Sequence, residues 1–297
     1  MVASSRVSLK VVGPYDFCLS MRAVRAFRPG PSEGGADLRL AADIGGIAAS
    51  IEVAANRSGE LIAVSRPAVD RLRLKSALEW AVFADLDLKP FYGVAARNAR
   101  LARIVEGLAG LKPVRPLSLF EMAVIAITEQ QISLAAAYRI RQRVIEKFGR
   151  PVEDLRVFPD PHALATASQS ELLSCGLSHQ KAQYIHDLSV QVDGGTLDLD
   201  RLKNLTDVEA REMIMSLRGF GSWSADYMLV RGLARPDAVP VDDLGIRSVV
   251  GDYLGSGSRL SGEEVSRVLE PFRPFRGLTA FYLLARHMLD LKARSAG

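Results

Sequence analysis

The sequence predicts an α+β protein in which a small N-terminal domain with an antiparallel sheet precedes a mostly helical body. Two observations lead to this prediction. Over the first 65 residues, apolar side chains alternate with polar ones, the period of two that is typical of strands. From Ala68 almost to the end of the chain, apolar residues recur at helical spacing. We place the boundary near residue 90, which gives domains 1–90 and 91–297.

Short alternating runs predict the strands of the N-terminal domain. Residues 7–11, 38–41 and 51–53 alternate in this way, and 61–64 resumes as a strand after turn residues at 56–59. The glycines and prolines of 29–35 predict a loop between two strands.

Helix starts are predicted where Ser or Thr precedes a run with helical spacing, and two of these starts are capping boxes with a glutamate three residues later. The capping residues are Ser118, Ser133, Ser178, Thr206 with Glu209, and Ser261 with Glu264. The helices that begin at Ser118, Ser133 and Ser178 are predicted to end near residues 128, 148 and 193. The last helix of the chain is predicted over 275–292.

Composition excludes several classes of protein. A hydrophobic content of 48% with 24% charged residues indicates a globular chain and not a disordered one. Two cysteines are too few for a disulfide framework or a four-cysteine iron–sulfur cluster, and the four histidines form no close ligand pair. We see neither a membrane span nor a secretory signal, so we expect a cytoplasmic or nucleoid protein, or a nuclear one in a eukaryote. The net charge of +4 weakly favours a polyanionic partner.

Residues 214–250 contain the most informative stretch. Gly219 and Gly221 flank Phe220, one helix is predicted to end near residue 216, and the next begins at Ser222. Glycine tolerates positive φ and leaves backbone amides uncovered. Free amides at a helix N-terminus bind phosphate without reading a base. The segment therefore predicts a sequence-independent contact with the DNA backbone, or else an ordinary turn with glycine after the first helix.

A pair of aspartates, Asp242 and Asp243, lies about twenty residues after Trp223 and directly before a helix predicted over 244–253. An aspartate at this position commonly caps the helix.

Several segments of the chain resemble, in the same order along the sequence, segments of the helix–hairpin–helix (HhH-GPD) DNA glycosylases, and among these the 3-methyladenine DNA glycosylase II type. The specific matches are the hairpin LRGFGSWSADYMLVRGL and the aspartate segment VPVDDLGIR. The individually weaker matches are GPYDFCLSMRAVRAF with the N-terminal strand of that family, ITEQQIS with the loop that probes the duplex, FPDPHALATAS and LLSCGLSHQKAQYI with its middle helices, and RPFRGLTAFYLL with its final helix.

The resemblance implies a helical body of two lobes with a cleft between them. It also implies a monofunctional glycosylase that flips alkylated purines, such as 3-methyladenine and 7-methylguanine, out of damaged double-stranded DNA and hydrolyses their N-glycosidic bond. We expect a monomer that needs no cofactor and has no membrane partner. Two alternatives stay open: a relative that acts on uracil, deaminated or oxidised bases, and a non-catalytic DNA-binding protein.

By the resemblance, Asp243 is the catalytic residue and Asp242 is structural. Cleavage of the N-glycosidic bond develops positive charge on the deoxyribose, and a fixed carboxylate stabilises that charge and orients the attacking water. The helix dipole favours the anion. This role is compatible with helix capping, and Asp242 remains the alternative catalytic residue.

The predicted base pocket consists of Trp223, Tyr227 and Gln130. Trp223 and Tyr227 share a helix face at i and i+4, and their ring faces attract a cationic alkylpurine. The alternative is that both rings are core residues. Bifunctional relatives carry a lysine where this chain has Trp223, and there is no lysine between Lys203 and Lys292. We therefore expect no lyase activity.

By the resemblance, the side chain of Gln131 enters the gap that the flipped nucleotide leaves in the duplex. Ser133, two residues later, is also predicted to contact DNA. Alternatively, Ser133 only caps the next helix and the glutamines are solvated. Arg218 replaces the proline usual in the family and is predicted to contact phosphate. The predicted DNA-binding residues are Gln131, Ser133, Arg218, Gly219, Phe220, Gly221 and Ser222.

The resemblance further implies a site for a monovalent cation at the backbone carbonyls of Met215, Leu217 and Phe220. The positions of the final helix that line the pocket in the family fall on Leu284 and Ala285, where aromatic residues are usual. Base specificity is therefore the feature that the sequence defines least.

Overall fold

A computed structural model of the chain describes residues 3–27, 37–56 and 59–296. The loop predicted over 29–35 lies outside these residues. The α+β architecture is confirmed: a four-stranded antiparallel sheet near the N-terminus is followed by a helical body.

The sheet contains β1 (Ser5–Leu9), β2 (Leu38–Ile44), β3 (Ile47–Ala55) and β4 (Leu61–Arg66) in the order β1-β4-β3-β2. Its inner face follows from the alternation in the sequence. Ala63 of β4 lies opposite Val7 of β1 on one side and Val53 of β3 on the other, and all three side chains are buried. The face is covered by α1 (Phe17–Ala26) and α2 (Arg71–Ala81).

The assignment of 13–27 to an N-terminal strand is wrong, because this segment forms α1. Asp16 caps the helix and accepts a hydrogen bond from the backbone N–H of Leu19. Phe17 and Met21, four residues apart, pack into the core beneath the sheet. The helical period is visible in the sequence, and the resemblance to a strand obscured it.

The helical body extends from residue 89 to the end of the described chain and includes a small hairpin. Its elements are α3 (Lys89–Ala95), α4 (Ala99–Glu106), α5 (Leu119–Glu129), α6 (Leu134–Phe148), β5 (Pro151–Val152), β6 (Leu155–Arg156), α7 (Pro161–Ala165), α8 (Gln169–Ser174), α9 (His179–Asp193), α10 (Asp207–Ser216), α11 (Ser222–Arg231), α12 (Leu244–Tyr253), α13 (Gly262–Leu269) and α14 (Arg276–Ala296), with short 3₁₀ helices at Leu199–Asn204 and Glu270–Phe272.

Most helix starts lie where the capping residues predict them. Ser118, Ser133 and Ser178 each accept a hydrogen bond from the backbone N–H three residues later. Both predicted capping boxes are formed, at the starts of α10 and α13. The final helix continues to Ala296, four residues beyond the predicted end.

Two hydrophobic cores divide the helical body into two lobes. The first lobe is built around α5, α9, α10 and α11. The second combines α3 and α4 with α12, α13 and α14. Leu19, Ala23 and Leu88, which precede residue 90, also pack into the second core. A cleft of about 2860 Å³ lies between the lobes and extends to the edge strand β2. No helix in the described part of the chain is long and apolar enough to cross a membrane.

Candidate active site

Four segments from three distant parts of the sequence meet at the cleft. They are the α5–α6 connection (130–133), the α10–α11 hairpin (217–221), the first turns of α11, and the N-terminus of α12. The first three belong to the first lobe and the last to the second lobe. The cleft therefore brings together the hairpin, the aromatic pair and the aspartate that the sequence singled out.

Asp243 caps α12 and faces the first lobe. Its Oδ1 accepts hydrogen bonds from the backbone N–H groups of Gly245 (2.9 Å) and Ile246 (3.0 Å). Its Oδ2 accepts the indole N–H of Trp223 over 3.0 Å. These three donors and the N-terminus of the helix stabilise the negative charge. Capping of α12 thus uses Oδ1 and leaves Oδ2 turned toward Trp223.

Asp242, the alternative catalytic residue, has a different environment. Its side chain is exposed at the cleft and lies beside the start of α13. A Cβ atom added at Gly262 would come within 2.4 Å of its Oδ1. The three donors that hold Asp243 are bound to that residue and not to Asp242.

Trp223 and Tyr227 stack on each other in the wall of the cleft. Their ring centroids are 4.8 Å apart and the ring planes are inclined by 20°. Both side chains are half-buried and line the cleft, and Tyr227 also packs against the core of the first lobe. Nothing fits between two rings at this spacing, because stacked aromatic groups are already in contact there. A base that uses this wall must therefore stack on an outer face.

Glu129, which the sequence analysis did not identify, binds the hydroxyl group of Tyr227 in the aromatic wall. The hydroxyl group of Tyr227 donates to Glu129 Oε2 over 2.6 Å, and Arg231 donates to the same hydroxyl oxygen over 2.8 Å. Arg141 donates to Glu129 Oε1 over 2.8 Å. Burial raises the pKa of the Tyr227 hydroxyl. One feature of the sequence could have identified Glu129. A carboxylate in the last turn of a helix interacts unfavourably with the helix dipole, so a cationic or hydrogen-bonding partner is expected nearby.

Gln130, predicted in the base pocket, lines the cleft but is also bound to the hairpin. Its side-chain amide donates to the carbonyl of Gly219 (2.8 Å) and to Oγ of Ser224 (2.9 Å). The next residue, Gln131, is exposed with φ of +54°, an unusual value for a non-glycine residue. Ser133 caps α6, as its alternative interpretation predicts.

Lys181 of α9 supports the same loop and was also missed. Its ammonium group donates to the carbonyl of Thr128 (2.8 Å) and to that of Gln130 (2.7 Å). Burial lowers the pKa of this amine. Lys181 and the side chain of Gln130 thus fix both sides of the backbone that carries Gln131.

The two hairpin glycines have different roles. Gly219 has φ of +90°, and a Cβ atom there would lie 2.3 Å from the ring of Tyr184. Gly221 does not use the positive φ that glycine tolerates: it is the N-cap of α11, with an extended φ of −107°. No side chain caps this helix, and a Cβ atom at Gly221 would meet no other atom within 4 Å. Among the described residues, the first amides of α11 therefore have no side-chain cap, and the space beside Gly221 is open.

The neighbouring hairpin residues are partly engaged. The exposed guanidinium of Arg218 donates to Asp187 Oδ2 over 2.7 Å and lies over the ring of Tyr184. The carbonyl of Leu217 accepts the N–H of Phe220 over 3.1 Å, which leaves it one lone pair for a cation. Within the described ranges, no three His, Cys, Asp or Glu side chains cluster as a metal site.

The final helix contributes an apolar side to the cleft. Leu284 and Phe281 line it, and Phe281 stacks on Phe27 with centroids 6.4 Å apart. Ala285 is fully buried, as is Tyr282, whose hydroxyl donates to the carbonyl of Leu111. The aromatic residue that α14 adds to the cleft is therefore Phe281.

Comparison with known proteins agrees with this geometry. The DNA-3-methyladenine glycosylase of Bacillus subtilis is 28% identical over 203 residues, which is 67% of each chain. DNA-3-methyladenine glycosylase 2 of Escherichia coli is 25% identical over 189 residues, 63% of this chain and 64% of its own. The solved 3-methyladenine DNA-glycosylase from Archaeoglobus fulgidus superposes with a TM-score of 0.80 at 25% identity, over 94% of this chain and 97% of that one.

The family assignment rests on the sequence as a whole. Residues 124–274, about half of the chain, match the sequence model of the HhH-GPD superfamily base excision DNA repair protein. This range contains the α5–α6 loop, the hairpin and the aspartate segment. The protein therefore belongs to the HhH-GPD superfamily of base excision DNA repair proteins, in agreement with the resemblance seen in its motifs.

Proposed function

We propose that this protein is a monofunctional DNA glycosylase that hydrolyses the N-glycosidic bond of alkylated purines in double-stranded DNA. The observation that carries the proposal is the hydrogen bond between Trp223 and Asp243, which sets a fixed carboxylate against an aromatic wall. The names of the similar proteins support the same substrate class.

Asp243 supplies the negative charge for the reaction. Its carboxylate has about four acceptor sites, of which three are occupied, so Oδ2 retains one for the sugar or the attacking water. As the base departs, C1′ and the ring oxygen of the deoxyribose become positive. A carboxylate that is already oriented stabilises this charge without reorganising.

The outer face of the Trp223–Tyr227 stack holds the extruded base. Cation–π attraction contributes roughly 0.5–2 kcal/mol in a desolvated site, which is about two- to thirtyfold in binding. The rest of the selectivity comes from the lability of a cationic nucleoside and from easier extrusion of a damaged pair. We propose that 3-methyladenine and 7-methylguanine leave quickly, hypoxanthine more slowly, and 8-oxoguanine barely at all.

The hairpin and the α5–α6 loop bind the duplex. The uncapped amides of α11 take a phosphate group, Arg218 reaches a neighbouring one, and Gln131 fills the gap left by the flipped nucleotide. The carbonyls of Met215, Leu217 and Phe220 can hold a monovalent cation, since the C-terminal end of a helix presents partial negative charge. We propose that the protein acts on DNA as a monomer.

We propose that the protein has no lyase activity, because Trp223 occupies the position at which bifunctional relatives carry a lysine. Lys181 lines the cleft, but its amine is bound to two backbone carbonyls of the loop. Borohydride should therefore trap no covalent adduct with DNA. A trapped adduct that disappears in Lys181→Met would overturn the monofunctional assignment.

A release assay tests the main proposal. Duplexes with 7-methylguanine, 3-methyladenine, hypoxanthine, uracil or 8-oxoguanine are incubated with the wild-type protein and with Trp223→Ala. We expect the methylated purines to be released fastest and the variant to lose most of that activity. Faster release of uracil or 8-oxoguanine would contradict the proposed substrate class.

A further inference from the structure

Both rings of the aromatic stack donate their polar hydrogen to a carboxylate. Trp223 donates to Asp243 over 3.0 Å, and Tyr227 donates to Glu129 over 2.6 Å. The function proposed above uses Asp243 and gives no role to Glu129. The second carboxylate must therefore be explained separately.

Glu129 is held in one orientation. Its side chain is 10% exposed, and its partner Arg141, at 2.8 Å, is 16% exposed. Breaking a pair as buried as this leaves an uncompensated charge, which costs far more than the pair itself contributes. Glu129 therefore does not rotate freely toward the cleft or away from Tyr227.

The hydroxyl group of Tyr227 has no hydrogen left for a ligand. A phenol has one donor, and in this structure that donor is given to Glu129. Arg231 occupies one lone pair of the same oxygen. The phenol is neutral, and its hydroxyl group both donates to Glu129 and accepts from Arg231. Its ring therefore offers the base a stacking surface but no proton.

We propose that Glu129 is a positioning and specificity-determining residue, which keeps the Tyr227 hydroxyl from donating to the extruded base. The inference rests on the proposed function. A neutral purine needs a proton donor in order to leave, whereas a cationic alkylpurine does not. By withholding the phenolic donor of the aromatic wall, Glu129 selects for bases that are already charged.

Glu129→Gln tests this idea with little change in volume. A glutamine has a single acceptor oxygen. When that oxygen accepts from Arg141, the NH2 group faces Tyr227 and can only donate, so the Tyr227 hydroxyl loses its acceptor and is released to donate to a base. We expect the ratio of kcat/KM for hypoxanthine to kcat/KM for 7-methylguanine to rise at least about fivefold, which corresponds to about 1 kcal/mol, the value of one hydrogen bond. Because the ratio is taken within one preparation, the folded fraction of the variant cancels. Glu129→Asp, which retracts the carboxylate by one methylene, should shift the ratio in the same direction.

The Tyr227→Phe background distinguishes positioning from a general structural effect. With no hydroxyl to release, Glu129→Gln should then change the ratio less than about twofold. Glu146→Gln removes an exposed carboxylate from α6 at the same cleft and serves as the matched control, with no expected change.

Three results would overturn the proposal: an unchanged ratio in Glu129→Gln, an equal change in the Tyr227→Phe background, or an equal change in Glu146→Gln. These failures are distinct from failure of the proposed function. If the wild-type protein releases no methylated purine, the function itself is wrong. If it does release them and the ratio does not respond, only the role of Glu129 is wrong.

Discussion

The indole N–H of Trp223 donates to Oδ2 of Asp243 across the cleft, over 3.0 Å. This bond connects the first lobe to the second, because Trp223 lies on α11 and Asp243 caps α12. A base stacked on the exposed face of Trp223 is therefore close to the carboxylate, and the relative position of the two lobes determines how close.

Asp243→Asn should lower base release at least about 100-fold, the cost of losing one prearranged charge at a reacting centre. Asparagine is as good an N-cap as aspartate, so α12 and the fold should persist. Single-turnover release and duplex affinity are measured together, and the affinity should change little. Asp242→Asn is the control, since its carboxylate does not bind Trp223. An inactive Asp242→Asn beside an active Asp243→Asn would reverse the assignment.

The two hairpin glycines should respond differently to substitution. Gly219→Ala combines a positive φ with a contact of 2.3 Å to Tyr184, so it should destabilise the fold by about 1–3 kcal/mol. Gly221→Val has open space in the free protein and should fold. It crowds the amides that we propose to hold phosphate, so affinity should fall about equally for damaged and undamaged duplexes and should retain its dependence on salt.

Thermal unfolding and duplex titrations check this pair of variants. A loss of affinity in Gly221→Val that is confined to damaged duplexes would contradict the phosphate role. An unchanged melting temperature in Gly219→Ala would show that the Tyr184 contact yields easily.

Local signals in the sequence were sufficient for most of the helix starts in the helical body. Ser118, Ser133 and Thr206 each act within three residues of their own position. Caps of this kind are therefore readable without tertiary information. The alternation that predicts the sheet is local in the same sense. The error at α1 had a different source: a weak similarity to a strand was preferred over the cap at Asp16 and the helical spacing of Phe17 and Met21.

The partners of the site residues could not be predicted in this way. Tyr227 and Glu129 are 98 residues apart, and Lys181 and Gln130 are 51 apart. Each pair forms only because helices of the first lobe pack side by side. No periodic pattern specifies which charged residue faces which carbonyl. The sequence thus located Gln130 at the cleft but not the contact of its amide with the hairpin.

Lys181→Met should weaken base extrusion more than DNA binding. The variant removes both hydrogen bonds to the carbonyls of Thr128 and Gln130, so the loop that presents Gln131 becomes less rigid. A small misplacement of a positioned group costs up to about 100-fold in rate, and we expect at least about tenfold in kcat. Extrusion is followed by the fluorescence of 2-aminopurine beside the lesion. Lys147→Met, on the exposed face of α6, is the control. Equal losses in kcat and in duplex affinity would contradict the positioning role.

The stability of the protein should decrease as the pH rises toward neutral, because of Glu121. Burial raises the pKa of this carboxyl group from 4.5 to about 7. Between these two values the folded protein holds a proton that the unfolded chain has lost, so the free energy of unfolding falls with rising pH. The favourable contribution is complete below pH 4.5 and is lost once the pH passes about 7.

Glu121→Gln removes this titration and should raise stability at pH 8 by on the order of 1 kcal/mol, with a much smaller effect at pH 5. Glutamine can still accept the N–H of Leu117, as Glu121 does. Glu209→Gln is the matched control of opposite sign: hydrogen bonds from Thr206 lower the pKa of Glu209, so that variant should lose stability at pH 8. Urea unfolding at the two pH values measures both variants. If Glu121→Gln stabilised the protein equally at pH 5 and pH 8, its effect would be one of packing, and the carboxyl group would not be the source of the pH dependence.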